Sequence, residues 1–161
     1  MADTLSITPG ATREQTYQEL LPQLRAMIDA ERDTIATLAN VSAAIHQALG
    51  FHWVGFYIVK SDDLVLGPFQ GPVACTRIAK GKGVCGAAWA QGQTQRVPDV
   101  HAFPGHIACS SATRSELVVP LFDDARAVWA VLDIDSADAG DFSDVDQQAM
   151  ERLAGWLSGD K

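Results

Sequence analysis

The hydrophobic positions of this chain change their spacing near residue 50. From Thr12 to Leu49 apolar residues recur every three or four positions, which predicts helix. Two stripes result, made of Tyr17, Leu20, Leu21, Leu24, Met27 and Ile28, and then of Ile35, Leu38, Val41, Ile45 and Leu49. Pro22 lies inside the first stripe and is expected to start a new helix or to kink the old one. The stripes are interpreted either as cover for a core or as a dimer surface.

The segment from Phe51 to Lys60 alternates with period two and is rich in aromatic and β-branched residues, which predicts a strand. One face of this strand consists of ordinary core residues. The other face carries Trp53, Gly55 and Tyr57. The small Gly55 leaves a gap between the two rings that would hold a small ligand, although aromatic pairs on strands also serve plain packing.

The middle of the chain is predicted as short elements between loops. Leu64 to Leu66 is a short strand, residues 67–72 are irregular because of their Gly and Pro content, and Val73 to Ile78 is a strand that carries Cys75. Val84 to Gln91 is a short helix with Cys85 in its first turn. The dipole and free N–H groups at such a helix start favour a thiolate.

Two further strands, Glu116 to Phe122 and Arg126 to Asp135, precede a final helix that begins at Ser143. In the second strand the alternation places Asp133 and Asp135 on one face, opposite an apolar face. Both carboxylates are interpreted as site residues or as the end of a strand running out into solvent. The order of elements predicts an α+β domain with an antiparallel sheet.

Composition narrows the class of protein. A length of 161 residues, with 47% hydrophobic and 20% charged residues, is typical of one globular domain. No apolar run approaches the length of a membrane span, and the N-terminus lacks the features of a signal peptide, so we expect a cytoplasmic protein. The net charge of -8 argues against nucleic acid as a partner.

Three cysteines cannot all pair within one chain, so in a reducing compartment they suggest a redox or metal group. Cys109 lies in a small polar loop, 105–116, where it is either a reactive thiol or a half-buried spectator. A structural metal site would combine Cys75, Cys85 and Cys109 with His101 or His106. The spacing is poor for zinc, whose ligands usually come in close pairs.

Several motifs of the chain together resemble the free methionine-(R)-sulfoxide reductases, a branch of the GAF-domain superfamily. The similarity runs in order from about Tyr17 to Leu157. Its motifs are FQGPVAC (69–75), GKGVCG (81–86), HAFPGHIAC (101–109), Ser115-Glu116 and LDIDS (132–136).

The resemblance implies a single GAF-like domain over residues 1–161, with residues 1–15 as a less ordered extension. It implies a six-stranded antiparallel sheet with helices on one face and a closed ligand pocket on the other, usually in a homodimer. It also implies reduction of the free amino acid rather than of the residue within a protein, without a bound cofactor.

Matching motif by motif, the resemblance gives each site residue a role. Cys109 corresponds to the nucleophile, Cys75 to the main resolving cysteine and Cys85 to a second thiol able to form an alternative disulfide. The pocket acids are Glu116, Asp133 and Asp135, and the aromatic walls are Trp53 and Tyr57. The family usually has Asp-Ala-Ala-Ser-Asn after the nucleophile. Here residues 110–114 are Ser-Ser-Ala-Thr-Arg, and we expect the lost acid and the added Arg114 to lower the pKa of the thiol.

The chemistry of sulfoxide reduction asks for a thiolate and a proton donor on opposite sides of the substrate. Crowding three carboxylates in one pocket raises the pKa of at least one of them, so one is expected to act as the acid and the others to bind the substrate's ammonium. A sulfenic acid on Cys109 would then be resolved as a disulfide that a dithiol protein such as thioredoxin reduces. The alternative is a GAF domain that senses a small molecule without catalysis.

Overall fold

The computed structural model describes residues 4–159 and contains four α-helices, one 3-10 turn and six strands in that range. The helices are α1 (Arg13–Ala30), α2 (Thr34–Leu49), α3 (Gly83–Gln91) and α4 (Asp144–Leu157), and the 3-10 turn is Val100–Ala102. The strands are β1 (Trp53–Lys60), β2 (Asp63–Gln70), β3 (Arg77–Ala79), β4 (Gln95–Val97), β5 (Ser115–Phe122) and β6 (Val128–Ser136).

All six strands form one antiparallel sheet with the order β3-β2-β1-β6-β5-β4. The central pairings fix which side chains become neighbours. Trp53 lies opposite Asp135 and Gly55 opposite Asp133. On the other side of β6, Asp135 lies opposite Glu116. The register therefore gathers the predicted acids and aromatics on one face of the sheet, because side chains alternate between faces.

The sheet separates two apolar clusters. Helices α1, α2 and α4 cover the first face, whose core includes Leu20, Ile45, Phe56, Leu132 and Leu153, all fully buried. The second cluster lies on the other face and is covered by α3 and the long loops. The predicted sheet is thus confirmed. The short α3 differs from the expectation that all helices share one face, since it packs on the pocket side.

The two N-terminal stripes form the predicted helices, but Pro22 does not begin a new one. Helix α1 continues through Pro22 and ends at Ala30. Pro22 and Gln18, whose carbonyl loses its N–H partner, are both exposed, so water can satisfy that carbonyl. Most residues of both stripes are buried in the first core, which supports the interpretation as core cover.

Strand β2 is longer than the sequence predicts. Gly67 and Pro68 were expected to break all regularity, yet β2 continues to Gln70. The pairing shifts between Gly55 with Phe69 and Tyr57 with Leu66, so one strand carries an extra residue there. A bulge of this kind accommodates a proline within a sheet.

Cys75 lies in a loop rather than in the predicted strand from Val73 to Ile78. Only residues 77–79 of that region pair, as β3 against β2. We call residues 71–76 the Cys75 loop.

The single domain over 1–161 with a less ordered extension at 1–15 stays a prediction, and residues 1–3 lie outside the described residues. At residues 6 and 8 the backbone N–H groups donate hydrogen bonds to Gln23 and Glu19 of α1. Among residues 4–159, no helix is both long and apolar enough to cross a bilayer.

Candidate active site

A small cavity opens on the second face of the sheet, between β1, β5, β6, the start of α3 and two loops. It measures about 40 Å³, the room of a few water molecules. Seven of the eight predicted site residues line it, namely Trp53, Tyr57, Cys85, Cys109, Glu116, Asp133 and Asp135. The eighth, Cys75, is bonded to Cys109. The tertiary structure therefore brings together all eight site residues that were predicted from the sequence.

Cys75 and Cys109 form a disulfide across 34 residues of sequence, with their Cα atoms 5.3 Å apart. Each cysteine is half-buried and lies in a loop, Cys75 in the Cys75 loop and Cys109 in residues 105–114, which we call the Cys109 loop. The bond joins the two loops over the cavity. A disulfide in a loop, within reach of solvent, can be opened by an external thiolate.

Three carboxyl groups lie at the base of the cavity, on adjacent strands. Burial, with the nearby charges of Asp133 and Asp135, raises the pKa of Glu116 well above its usual value. Burial and Asp133 raise the pKa of Asp135 in the same way. Burial also raises the pKa of Asp133, to about 6, while hydrogen bonds with Cys85 and Glu116 oppose this rise. In each of the three carboxyls, burial therefore favours the protonated form.

Two oxygens of this acidic group lack partners. Oδ1 of Asp133 and Oδ1 of Asp135 are buried, and neither receives a hydrogen bond. A buried carboxylate oxygen without a donor is costly, so a ligand with N–H groups would relieve the cost. The cavity is suited to a small cation or ammonium.

Cys85 is a buried thiol that belongs to the same group. Its Sγ donates a hydrogen bond to Oε1 of Glu116 at 3.9 Å. Burial, followed by the charges of Asp133 and Glu116, raises the pKa of the Cys85 thiol well above its usual value. The expectation that the start of α3 favours a thiolate is therefore wrong for Cys85, because desolvation and the negative neighbours outweigh the helix dipole.

The two aromatic walls also hold the Cys75 loop. The Tyr57 hydroxyl donates a hydrogen bond of 2.9 Å to the carbonyl of Cys75. The Trp53 indole Nε1 donates one of 3.1 Å to the carbonyl of Pro72. Sequence reasoning missed these bonds, since strand alternation reveals the face of a side chain but not its partner.

The gap expected above Gly55 is filled. A Cβ at Gly55 would lie 2.7 Å from Trp53 Cη2 and 2.9 Å from Phe69 Cα. The Trp53 ring stacks on Phe69 with centroids 5.1 Å apart and on Tyr57 at 5.9 Å. Gly55 therefore permits a three-ring stack instead of leaving space for a ligand, and the cavity lies beside that stack.

Two histidines lie near the site. Sequence reasoning assigned His52 no role and considered His106 only as a metal ligand. His52 Nε2 lies 3.3 Å from Ser110 Oγ, a contact that ties the Cys109 loop to the start of β1. Ser110 lines the cavity, whereas Arg114 is exposed. His106 also lines the cavity, and its Nδ1 is buried without a partner. Burial, with His101 nearby, lowers the pKa of His106. No periodic pattern marks such loop contacts.

The alternative interpretation, a metal site of the three cysteines with His101 or His106, does not fit the structure. The disulfide uses Cys75 and Cys109, which leaves Cys85 as the free cysteine. A different set, Cys85, Glu116 and Asp133, places ligand atoms within 4.8 Å of one another. Since these groups are protonated or hydrogen-bonded to each other, a metal would have to displace their protons.

Comparison with known proteins gives a consistent family. The model of the GAF domain matches residues 33–159. A free methionine-R-sulfoxide reductase from Escherichia coli (strain K12) is 46% identical over 146 residues, which cover 90% of this chain and 88% of that protein. GAF domain-containing protein A from Dictyostelium discoideum is 49% identical and covers 95% and 96% of the two chains.

A solved structure extends the similarity to three dimensions. The X-ray structure of free methionine-R-sulfoxide reductase from Neisseria meningitidis in complex with its substrate has a TM-score of 0.92 and 49% identity. The similarity covers 96% of this chain and 92% of that one.

Proposed function

The chain belongs to the GAF-domain family, within its free methionine-(R)-sulfoxide reductase branch, and we propose that the Cys109 site described above performs that branch's reaction. The protein is an oxidoreductase that converts free L-methionine-(R)-sulfoxide to methionine. The observation that carries the residue assignment is the disulfide between Cys75 and Cys109, placed above a buried group of three carboxyls. This is the end state expected of a two-thiol reduction.

The cycle begins with attack of the Cys109 thiolate on the sulfoxide sulfur. The sulfoxide oxygen takes a proton from a carboxylic acid of the cavity and passes to the Cys109 sulfur. Its bond to the substrate sulfur and the new bond between the two sulfurs break, so methionine leaves and Cys109 becomes a sulfenic acid. The Cys75 thiol then attacks the sulfenic sulfur, releases water and forms the disulfide. An external dithiol exchanges with it, returning two thiols and becoming a disulfide itself.

The three carboxyls are assigned different roles. Burial and the charges of Asp133 and Asp135 raise the pKa of Glu116 well above its usual value and so favour its protonated form, which is why it is assigned as the acid. Asp133 is ionised above a pKa of about 6, and its free Oδ1 is assigned to the substrate's ammonium together with Oδ1 of Asp135. Trp53 and Tyr57 supply the apolar wall for the methyl-bearing side chain.

Cys85 is assigned as a reserve thiol. Its raised pKa makes it a poor first nucleophile, since thiol reactivity follows the thiolate. A disulfide between Cys85 and Cys109 would need the Cys109 loop to move toward the base of the cavity. Substrate entry requires movement of the same loop, because about 40 Å³ holds only a few waters.

The remaining assignments concern the reductant, the oligomeric state and the cellular compartment. We propose a thioredoxin-like protein as reductant, with no bound cofactor and no nucleic acid or membrane partner, and a homodimer as the assembly. A cycle that depends on a dithiol protein operates in a reducing compartment, so we place the protein in the cytoplasm.

One stoichiometric experiment tests the cycle. The reduced protein is mixed with excess free (R)-sulfoxide without reductant, and methionine and remaining thiols are counted. We expect one methionine released and two thiols lost per chain. Cys109→Ser should release none. Cys75→Ser should release one methionine and leave a sulfenic acid that dimedone traps, and loss of two thiols in this variant would show that Cys85 resolves it instead. The (S)-sulfoxide and a peptide-bound sulfoxide are the substrate controls.

The result would also separate the enzyme from a non-catalytic GAF sensor. A sensor would bind the sulfoxide without releasing methionine and without losing thiols. A burst from the Cys109→Ser variant would show that another group is the nucleophile.

A further inference from the structure

Two exposed apolar side chains flank the disulfide. Among residues 4–159, the large hydrophobic residues that are exposed are Ile35 at 56%, Val73 at 90% and Ile107 at 38%. Val73 is two residues before Cys75, and Ile107 is two residues before Cys109. Both lie at the cavity with Cys109, and Ile107 rests over Gly83 at the start of α3. Apolar side chains in such a place are typical of an interaction surface.

The charge around this surface differs from that of the whole chain. The chain has 12 basic and 20 acidic residues, but residues 71–114 contain five basic residues and one acidic residue, Asp99. Lys82 is exposed and lies at the cavity beside Ile107. The segment that contains both loops is therefore less acidic than the rest of the chain, although the Cys75 loop has no Lys or Arg and the Cys109 loop has only Arg114. Two of its basic residues, Arg77 and Arg96, pair with Asp63 and Asp144, so Lys82 at the cavity is the basic residue placed to attract an acidic partner.

We propose that Val73, Ile107 and Lys82, together called the disulfide rim, form the docking surface for an acidic dithiol protein of the thioredoxin class. This rests on the proposed function, in which such a protein reduces Cys75–Cys109. The partner's thiolate attacks one sulfur, the Cys75–Cys109 bond breaks, and a mixed disulfide forms. The partner's second thiol then attacks the mixed disulfide and displaces the other cysteine of this chain, so two electrons pass to this chain and the partner becomes a disulfide.

The disulfide rim supplies contacts that orient a protein partner and that a small thiol does not need. The disulfide is half-buried, so a protein thiolate must be held along the S–S axis between the two loops. Apolar contact with Val73 and Ile107 would hold the partner there, and Lys82 would steer its acidic surface. A small dithiol such as dithiothreitol reaches the sulfurs without these contacts.

The test measures reduction of the oxidised protein without any sulfoxide. Stopped-flow mixing with reduced thioredoxin gives the second-order rate constant, and dithiothreitol gives the reference. We expect Val73→Asp and Ile107→Asp each to lower the thioredoxin rate constant about tenfold or more and to leave the dithiothreitol rate unchanged. Ile35→Asp, on α2, is the matched control and should change neither rate. Lys82→Glu should weaken the dependence of the thioredoxin rate on salt.

Three results would overturn the proposal. The thioredoxin rate of Val73→Asp or Ile107→Asp could match that of Ile35→Asp. Both reductants could slow equally, which would mean that the disulfide itself had changed. Glutathione, which lacks an apolar surface, could reduce the wild type faster than thioredoxin at equal thiol concentration. Because no sulfoxide is present, failure of the rim is distinct from failure of the catalytic cycle.

Discussion

The hydroxyl of Tyr57 and the backbone carbonyl of Cys75 are joined by a hydrogen bond of 2.9 Å. Tyr57 belongs to a central strand, whereas Cys75 lies in a loop without regular structure. The bond therefore fixes the backbone of Cys75, a loop residue, against the central sheet. The Trp53 bond to Pro72 does the same three residues earlier in the loop. Trp53 and Tyr57 thus determine where Cys75 lies.

Removal of that hydroxyl should slow closure of the disulfide. A neutral hydrogen bond contributes about 0.5–1.5 kcal/mol, so Tyr57→Phe is expected to lower the rate of resolution by about two- to tenfold. Release of methionine in the first turnover should change less. Dimedone trapping after rapid mixing measures the lifetime of the sulfenic acid, which should lengthen. An unchanged lifetime of the sulfenic acid would show that Tyr57 does not position Cys75.

Substrate binding should depend on pH through Asp133. The pKa of Asp133 is about 6 because burial outweighs its hydrogen bonds with Cys85 and Glu116. Affinity for the substrate's ammonium is expected to fall up to about tenfold per pH unit below this value. Calorimetry from pH 5 to 8 with the inactive Cys109→Ser variant measures binding without turnover. The double variant Cys109→Ser, Asp133→Asn should bind the substrate weakly at every pH and lose the pH dependence. If the affinity of Cys109→Ser were constant across pH 5–7, the assignment of Asp133 to the substrate's ammonium would be wrong.

The acidic group should lower stability at neutral and alkaline pH. The folded-state pKa of Asp135 is raised, so its stabilising contribution is present below the unfolded value of about 3.9 and is lost as pH rises through the folded pKa. Asp135→Asn is therefore expected to raise Tm by about 2–6 °C at pH 8 and to change it little at pH 4. Activity should fall in the same variant.

Thermal unfolding of matched variants measures the stability that is lost when Asp135 ionises. Asp29→Asn is the control, because Asp29 pairs with Arg25 on the surface of α1 at 2.9 Å. An exposed pair contributes about 0–1 kcal/mol, so Asp29→Asn should not raise Tm at pH 8. A lower Tm for Asp135→Asn at pH 8 would show that the charged carboxyl is stabilised by a partner.

Gly55 should not accept a larger residue. The Cβ of alanine would collide with Phe69 and with the Trp53 ring, and would have to displace the ring stack. Gly55→Ala is expected to destabilise the fold by about 1–3 kcal/mol. Gly155→Ala in α4 is the matched control, since nothing lies within 4 Å of its Cβ, and it should stabilise by about 0.5–1 kcal/mol. Urea unfolding of both variants measures the difference, and equal effects would be inconsistent with the steric argument.

Cys85 should be inert in the oxidised protein. It is the free cysteine there, it is 3% exposed, and burial with Asp133 and Glu116 raises the pKa of its thiol. Alkylation by iodoacetamide at pH 8 is expected to be at least about tenfold slower than in the unfolded chain, because the thiolate is the reactive species. Mass spectrometry locates the label. Rapid labelling of Cys85 would place it among the reactive thiols.

Strand and helix prediction succeeded where the hydrophobic period was sustained. Strands β1, β5 and β6, and helices α1, α2 and α4, each bury one face against a continuous core, so local pattern and tertiary packing favour the same structure. Prediction failed at β2 and at Cys75. At β2 a bulge tolerates Gly67 and Pro68, and that bulge exists only because β1 pairs alongside.

The sequence alone determined which side chains lie on the opposite face of their strand from the helix-covered core. Alternation placed Trp53 and Tyr57 on one face of β1 and Asp133 and Asp135 on one face of β6, because side chains on a strand alternate whatever the fold. Its motifs also identified the family. Only tertiary structure decided that these faces are the same face, since strand order and register are set by contacts distant in sequence. The disulfide, the charge state of Cys85 and the filled space at Gly55 follow from that convergence. Each depends on distances between elements that no local pattern encodes.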